Sequence, residues 1–244
     1  MGLTFGSLFA GIGGLDLGFE RAGFTCKWQV EIDEYARRVL TKHWPDVPKW
    51  DDVRTFPPEH GEWGVDCIVG GFPCQDISYA GLGAGIGGGR SGLWTEFSRI
   101  VGLLRPRYIV VENVAAILDR GLGRVLGDLA SIRYDAEWDC IPAAALGANH
   151  RRDRTFIVAY PQSNTREASV LPGPPPKQFF KRQSRRNDFA SVSTGHWQKD
   201  QPSLVDLDDG ISTWPHEVRG LGNGVVPHVA QYIAHRIAAH VTSS

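Results

Sequence analysis

Sulfur is scarce in this chain. Four cysteines and one methionine occur in 244 residues. No two cysteines form a CxxC pair, so neither a zinc site nor a disulfide framework is expected. Cys26, Cys67 and Cys140 lie in or beside apolar segments and read as core residues. Thiols of this kind stay reduced, which points to a cytosolic, cytoplasmic setting. Long hydrophobic runs are also missing. None approaches the roughly 20 residues that a membrane helix needs. No charged stretch leads into an apolar one near residue 1, so a secretory leader is not expected. An excess of one charge is absent as well. A net charge of −1 leaves any contact with nucleic acid to local basic clusters and decides nothing by itself. There is no internal repeat.

What the chain does have is 42% apolar residues, enough for one α/β core with a small appended lobe. Apolar runs at 3–9, 24–30, 67–70, 108–112, 134–141 and 155–160 read as strands. Helical spacing separates them. Leu15, Leu17, Phe19 and Ala22 share one pattern. Tyr35, Ala36, Val39 and Leu40 share another, behind the N-cap candidate Asp33. Residues 93–104 and 117–132 follow, the latter with breaks expected at Gly121 and Gly123. This alternation predicts an α/β fold, a doubly wound and mostly parallel sheet. At Pro161 the composition turns to Pro, Ser, Gln, Asn and Asp. A stiff Pro172–Pro176 spacer precedes Lys177, Lys181, Arg182, Arg185 and Arg186, which are interleaved with Phe179 and Phe180. Regular structure resumes near the end, in a helix with Val229, Ile233, Ile237 and Val241 on one side.

Five segments carry chemistry. Phe9-Ala-Gly-Ile-Gly-Gly14 lies between a strand and a helix, where glycines let a ligand approach the backbone at the positive helix end. It departs from the dinucleotide G-x-G-x-x-G at Asp16. Glu31 ends the next strand, as an acceptor for ribose hydroxyls or as an ordinary capping acid. Asp52 either bonds an adenine amino group or serves the turn Trp50-Asp-Asp-Val53. Cys74 follows Pro73, precedes Gln75 and Asp76, and opens a loop with seven glycines between Gly81 and Gly92. A thiol at the foot of such a loop is a nucleophile candidate, and the loop can close over a substrate. Glu112 closes the run Tyr108–Val111, where loss of water raises a carboxyl pKa and suits it to act as an acid, or where it forms a structural ion pair with a nearby arginine. Arg151, Arg152 and Arg154 precede the last strand. An extended chain there would point Arg152 and Arg154 the same way.

In this order the segments resemble the motifs of DNA (cytosine-5-)methyltransferases. Phe9–Gly14 resembles the cofactor motif, Gly71–Gln75 the nucleophile motif and Glu112-Asn-Val114 the catalytic glutamate motif. His150–Arg154 is similar to Gln-Arg-Arg-Glu-Arg, and Gly222–Val226 to the closing Gly-Asn-Ser-Val-Val. His150, Asp153, Gly224 and Ile77 depart from the usual residues, and no ninth motif is identifiable. The resemblance spans about 1–160 and 214–244. The short chain and long glycine-rich loop look most like the small members carried by phages and prophages, so restriction-modification or protection of phage DNA is the expected setting.

The resemblance implies a Rossmann-like methyltransferase fold: a catalytic and cofactor-binding core at 1–160, a small irregular target-recognition segment at 161–213, and a C-terminal part at 214–244 that packs back on the first βα unit. It implies S-adenosyl-L-methionine as cofactor, held by Phe9, Gly11, Gly13, Gly14, Leu15, Glu31, Ile32, Asp52, Val53, Pro73, Leu93, Asn223 and Val225. Cys74, Glu112, Arg152 and Arg154 are implied as catalytic, attacking and holding a flipped-out cytosine. Gln75, Ser78, Arg90 and the five basic residues from Lys177 to Arg186 are the expected DNA contacts. The expected partner is double-stranded DNA, with no metal and no membrane, and the chain is expected to act as a monomer. Cytosine methylation on RNA, a DNA-binding protein without turnover and a nicotinamide oxidoreductase are the other readings. Cys74, Glu112 and Arg154 argue against the second, and the missing G-x-G-x-x-G argues against the third.

Overall fold

The structure is a computed structural model that describes residues 2–73, 92–146, 148, 152–162, 169–171 and 224–243. Its centre is a seven-stranded sheet in the order β3-β2-β1-β4-β5-β7-β6. The strands are β1 (Thr4–Leu8), β2 (Thr25–Val30), β3 (Lys49–Trp50), β4 (Cys67–Gly70), β5 (Tyr108–Val114), β6 (Tyr134–Pro142) and β7 (Asp153–Pro161). The helices are α1 (Gly14–Arg21), α2 (Glu34–His43), α3 (Leu93–Leu104), α4 (Ile117–Arg120), α5 (Leu122–Ser131) and α6 (Pro227–Ser243).

β1 to β5 pair in parallel, whereas β7 runs antiparallel to both β5 and β6. The central strands are apolar on both faces because helices cover both. On one face Cys67, Val69, Tyr108 and Val110 pack with Phe19 of α1 and with Val229, Ile233 and Ile237 of α6. On the other, Ile68, Ile109 and Val111 pack with Trp94, Phe97 and Ile100 of α3 and with Val125 and Leu129 of α5. α1 and α6 touch closely. A Cβ on Gly18 would run into Ala230, and one on Gly14 into the Val225 carbonyl.

Several local expectations change. Gly121 does interrupt the helical run, separating α4 from α5, but Gly123 lies inside α5. Cys140 is half-buried rather than core, because it lies on the outermost strand. β5 does not stop at Glu112. It continues to Val114, paired with β7.

Candidate functional site

All five parallel strands end along one edge of the sheet. Leu8 stands level with Val30 and Gly70, Val30 with Trp50, and Gly70 with Val111. The chain goes one way from β1 to β2 and the other from β1 to β4. Such a reversal leaves a crevice beyond the strand ends. A cavity of about 450 Å³ opens there, within the range of small-molecule sites.

Its first wall is the turn after β1. Phe9, Gly11 and Gly13 all have positive φ, at 53°, 55° and 86°. The left-handed region is costly for phenylalanine, and such outliers gather at functional sites. The turn is tied to the strand beside it. The Gly11 N–H donates to Glu31 Oε2 at 2.7 Å, and the Asp33 N–H donates to Glu31 Oε1 at 2.8 Å. Each carboxylate oxygen keeps a further lone pair for a ligand hydroxyl. Burial pushes the Glu31 pKa up, while these amides pull it down. Asp52 caps a short 3-10 turn by accepting from the Arg54 N–H, and it also pairs with the Arg54 guanidinium. That pairing holds its carboxyl below the usual range.

The second wall centres on Glu112. β4 ends level with Val111, so Glu112 lies one residue beyond it on that side. On the other side Glu112 is still paired, opposite Phe156. Because β7 is antiparallel, it enters the sheet at the edge where β5 leaves. Arg154 thus stands opposite Val114, a same-face diagonal neighbour of Glu112. Arg154 Nε lies 2.9 Å from Glu112 Oε1. This is ion-pair contact, since the N–H does not aim at the oxygen. Glu112 is 8% exposed. Burial holds its carboxyl above the usual range, although Arg154 and then Arg152 pull it the other way.

Gly71 lies against this acid. A Cβ there would stand 2.7 Å from Glu112 Oε2, so any side chain would displace the carboxyl. The Asn113 amide donates to the Phe72 carbonyl at 3.4 Å, tying the segment before Cys74 to the strand that carries Glu112.

Phe9, Gly11, Gly14, Leu15, Glu31, Ile32, Asp52, Val53, Pro73, Leu93 and Val225 line one cavity with Glu112 and Arg154. Gly13 is not among its walls, because it faces Trp44 and Leu40. Arg152 does not enter from an extended strand as alternation predicts. It precedes β7 with φ of 35°, and its guanidinium donates to the Gly224 carbonyl. It still feels Glu112 electrostatically. Cys74, Gln75, Ser78, Arg90, Lys177, Lys181, Arg182, Arg185, Arg186 and Asn223 lie outside the described residues. Asp33, Tyr35, Asp51 and Gly71 also line the cavity. Sequence reasoning did not assign them there. Asp33 and Tyr35 were legible as the start of a helix following a strand-end acid. Gly71 needed the position of Glu112.

Among the described residues, no three His, Cys, Asp or Glu side chains are placed to hold a metal ion, and no helix is long and apolar enough to cross a membrane.

The sheet order and the crevice at its reversal define a Rossmann-like α/β methyltransferase fold. The structure is similar to that of a DNA modification methyltransferase encoded within an Escherichia coli prophage. The TM-score is 0.59 at 28% identity, over 68% of this chain and 49% of the other. Spodoptera frugiperda DNMT2 shares the fold, with a TM-score of 0.56 at 20% identity over 67% and 51% of the two chains. In sequence the chain is 35% identical to Type II methyltransferase M2.BsuMI of Bacillus subtilis (strain 168), over 63% of this chain and 41% of that protein. It is also 35% identical to Type II methyltransferase M.Eco47II of Escherichia coli, over 62% and 38%. It thus spans less than half the length of these curated relatives. Residues 3–210 match the C-5 cytosine-specific DNA methylase family, and the chain belongs to that family.

Proposed function

We propose that the protein transfers a methyl group from S-adenosyl-L-methionine to C5 of a cytosine in double-stranded DNA. The observation that carries this reading is the ion pair of buried Glu112 with partly buried Arg154, placed beside Gly71-Phe72-Pro73, the residues that lead directly into Cys74.

The crevice suits the cofactor by charge as well as by shape. Among its described walls are five carboxylates (Glu31, Asp33, Asp51, Asp52 and Glu112) and two arginines, each paired with one of those acids. An acidic crevice disfavours the pyrophosphate of a nicotinamide dinucleotide and favours a cationic nucleoside. Glu31 would hold the ribose hydroxyls, Ile32 and Val53 would flank the base, and Asp52 would take its amino group. Bound there, S-adenosylmethionine would supply an electrophilic methyl group.

The chain's own residues prepare the cytosine. The Cys74 thiolate bonds to C6, and the Glu112 carboxyl gives a proton to N3, so that electron density moves to C5. Arg154 fixes Glu112 and holds the cytosine O2, with Arg152 beside it. After a base has taken the C5 proton, N3 returns its proton to Glu112 and Cys74 leaves C6. A base inside a duplex cannot reach this site and must be flipped out. The recognition segment at 161–213, the DNA contacts at Gln75, Ser78, Arg90 and Lys177–Arg186, monomeric action and a bacterial or phage-infected cytoplasm belong to the same reading.

The test is to expose DNA of known sequence to the protein with S-adenosylmethionine and to read it by bisulfite sequencing. Protected cytosines at one recurring sequence are expected. If no cytosine is protected while NAD, but not S-adenosylmethionine, raises the melting temperature, the function is of another class.

A further inference from the structure

The turn that lines the crevice is braced from beneath by a carboxyl. Asp16, in the first turn of α1, is fully buried, as are Ser7 and Gln29. The Ser7 hydroxyl donates to Asp16 Oδ2 at 3.1 Å, and the Gln29 amide donates to Oδ1 at 2.8 Å. The Cys26 thiol approaches Oδ1 at 3.9 Å. Gln29 Oε1 has no hydrogen-bond partner among the described residues.

This is an unexpected way to join a helix to a sheet. Leu15 and Phe19 do so with apolar side chains. A buried carboxyl stabilises a core less than a well-packed apolar group, so its presence points to a role other than stability. Burial pushes its pKa up to about 6, against the pull of Gln29 and Ser7. The elements it ties are the ones that lead into the crevice. Ser7, on β1, lies two residues before Phe9; Gln29, on β2, lies two before Glu31; and Asp16, on α1, lies two after Gly14.

We propose that Asp16 is a positioning residue for the crevice: shared between Ser7 and Gln29, its carboxyl sets the spacing of β1, β2 and α1 at which the Gly11 amide meets the Glu31 carboxylate. It acts on the cofactor only through that cradle. The inference rests on reading the crevice as the S-adenosylmethionine site.

The test uses the full chain as wild type, Asp16→Ala, Asp16→Asn and Ser7→Ala. Two readouts are taken: S-adenosylmethionine affinity by calorimetry, and amide hydrogen exchange without ligand at Gly11 and, for reference, at Val110 in the middle of β5. Asp16→Ala should weaken binding about tenfold, the equivalent of losing two ordinary hydrogen bonds. It should also speed exchange at Gly11 far more than at Val110. Asp16→Asn keeps an acceptor for Gln29 and should bind within about threefold of wild type. Ser7→Ala removes one arm and should show the same selective exchange to a lesser degree. It decides the matter if Asp16→Ala does not fold. Unchanged binding and unchanged Gly11 exchange overturn the proposal. So does a loss that Asn does not restore while Gly11 and Val110 accelerate alike. A wild type that fails to bind S-adenosylmethionine overturns the cofactor reading instead, and the exchange at Gly11 still decides the role of Asp16.

Discussion

The two halves of the crevice each present a buried acid, and they hold it by different means. In the parallel half, Glu31 takes two backbone amides, Gly11 and Asp33. Backbone amides fix the place of the carboxylate and favour its charged form, although burial still holds its pKa above the usual range. In the other half, Glu112 has an arginine for a neighbour, a face without a side chain at Gly71 and little water. Desolvation pushes its proton affinity up and Arg154 pulls it down, so a small change in geometry shifts the balance. One acid is aimed by backbone donors to accept hydrogen bonds from a ligand. The other is built to exchange a proton. The antiparallel turn of β7 makes the second arrangement possible, because only a strand entering at that edge brings a guanidinium beside the end of β5.

That contrast can be broken from either side. The largest effect is expected from Cys74→Ser, which should abolish methyl transfer and leave S-adenosylmethionine binding intact, because a serine hydroxyl is scarcely ionised at neutral pH. Tritium transfer to DNA, with calorimetry alongside, reads both. Loss of cofactor binding in this variant would show that the halves are not separable. Glu112→Gln should lower the methylation rate by about 10²–10⁴-fold, the usual worth of a positioned acid, again without loss of cofactor affinity. Gly71→Ala should lower the rate in the same direction by displacing the carboxyl. A Glu112→Gln protein with wild-type single-turnover rate would remove Glu112 from the chemistry. Glu31→Ala should do the reverse. It should weaken S-adenosylmethionine binding by about 1.5–3 kcal/mol, roughly 10–150-fold, with a much smaller change in rate at saturating cofactor. Equal loss in both quantities would contradict the division.

The last effect concerns stability rather than activity. The Asp16 pKa rises on folding from 3.8 to about 6, so between those values the folded state holds a proton that the unfolded state has released. Stability therefore falls as pH rises through this window, by about 3 kcal/mol at roughly 1.4 kcal/mol per unit. Glu20 adds repulsion and Cys26 and Lys49 lie in the same neighbourhood, but burial dominates. Asp16→Asn should thus match the wild type below about pH 4 and be more stable above pH 7. Urea melts at the two pH values measure the difference. Equal midpoints at pH 8 would place the proton elsewhere.

Much of this was legible along the chain because its signals are local. Apolar runs gave the central strands, Asp33 does cap α2, and the glycine turn and Glu31 stand at strand ends as their positions suggested. Other features depend on what comes near in space. Asp16 looked like a departure from a glycine pattern, and only the packing of α1 on β1 and β2 makes it a buried acid. Arg152 and Arg154 seemed equivalent by alternation, but the backbone turns left-handed at Arg152 and sends it to Gly224. β3, two residues long, had no periodicity to read. Gly71 carries no signal of its own, since the reason for it is a carboxyl 41 positions later.

The close approach of Gly14 to Val225 has a consequence in time. One side of the crevice is encoded at Phe9–Leu15 and is closed by a segment about 200 codons downstream. At ~5–20 residues per second, the ribosome needs on the order of tens of seconds to connect them. The sheet can begin to assemble during that interval, but its ligand site cannot be finished. Whatever this crevice binds therefore meets a nascent chain only after nearly all of the described sequence has been made.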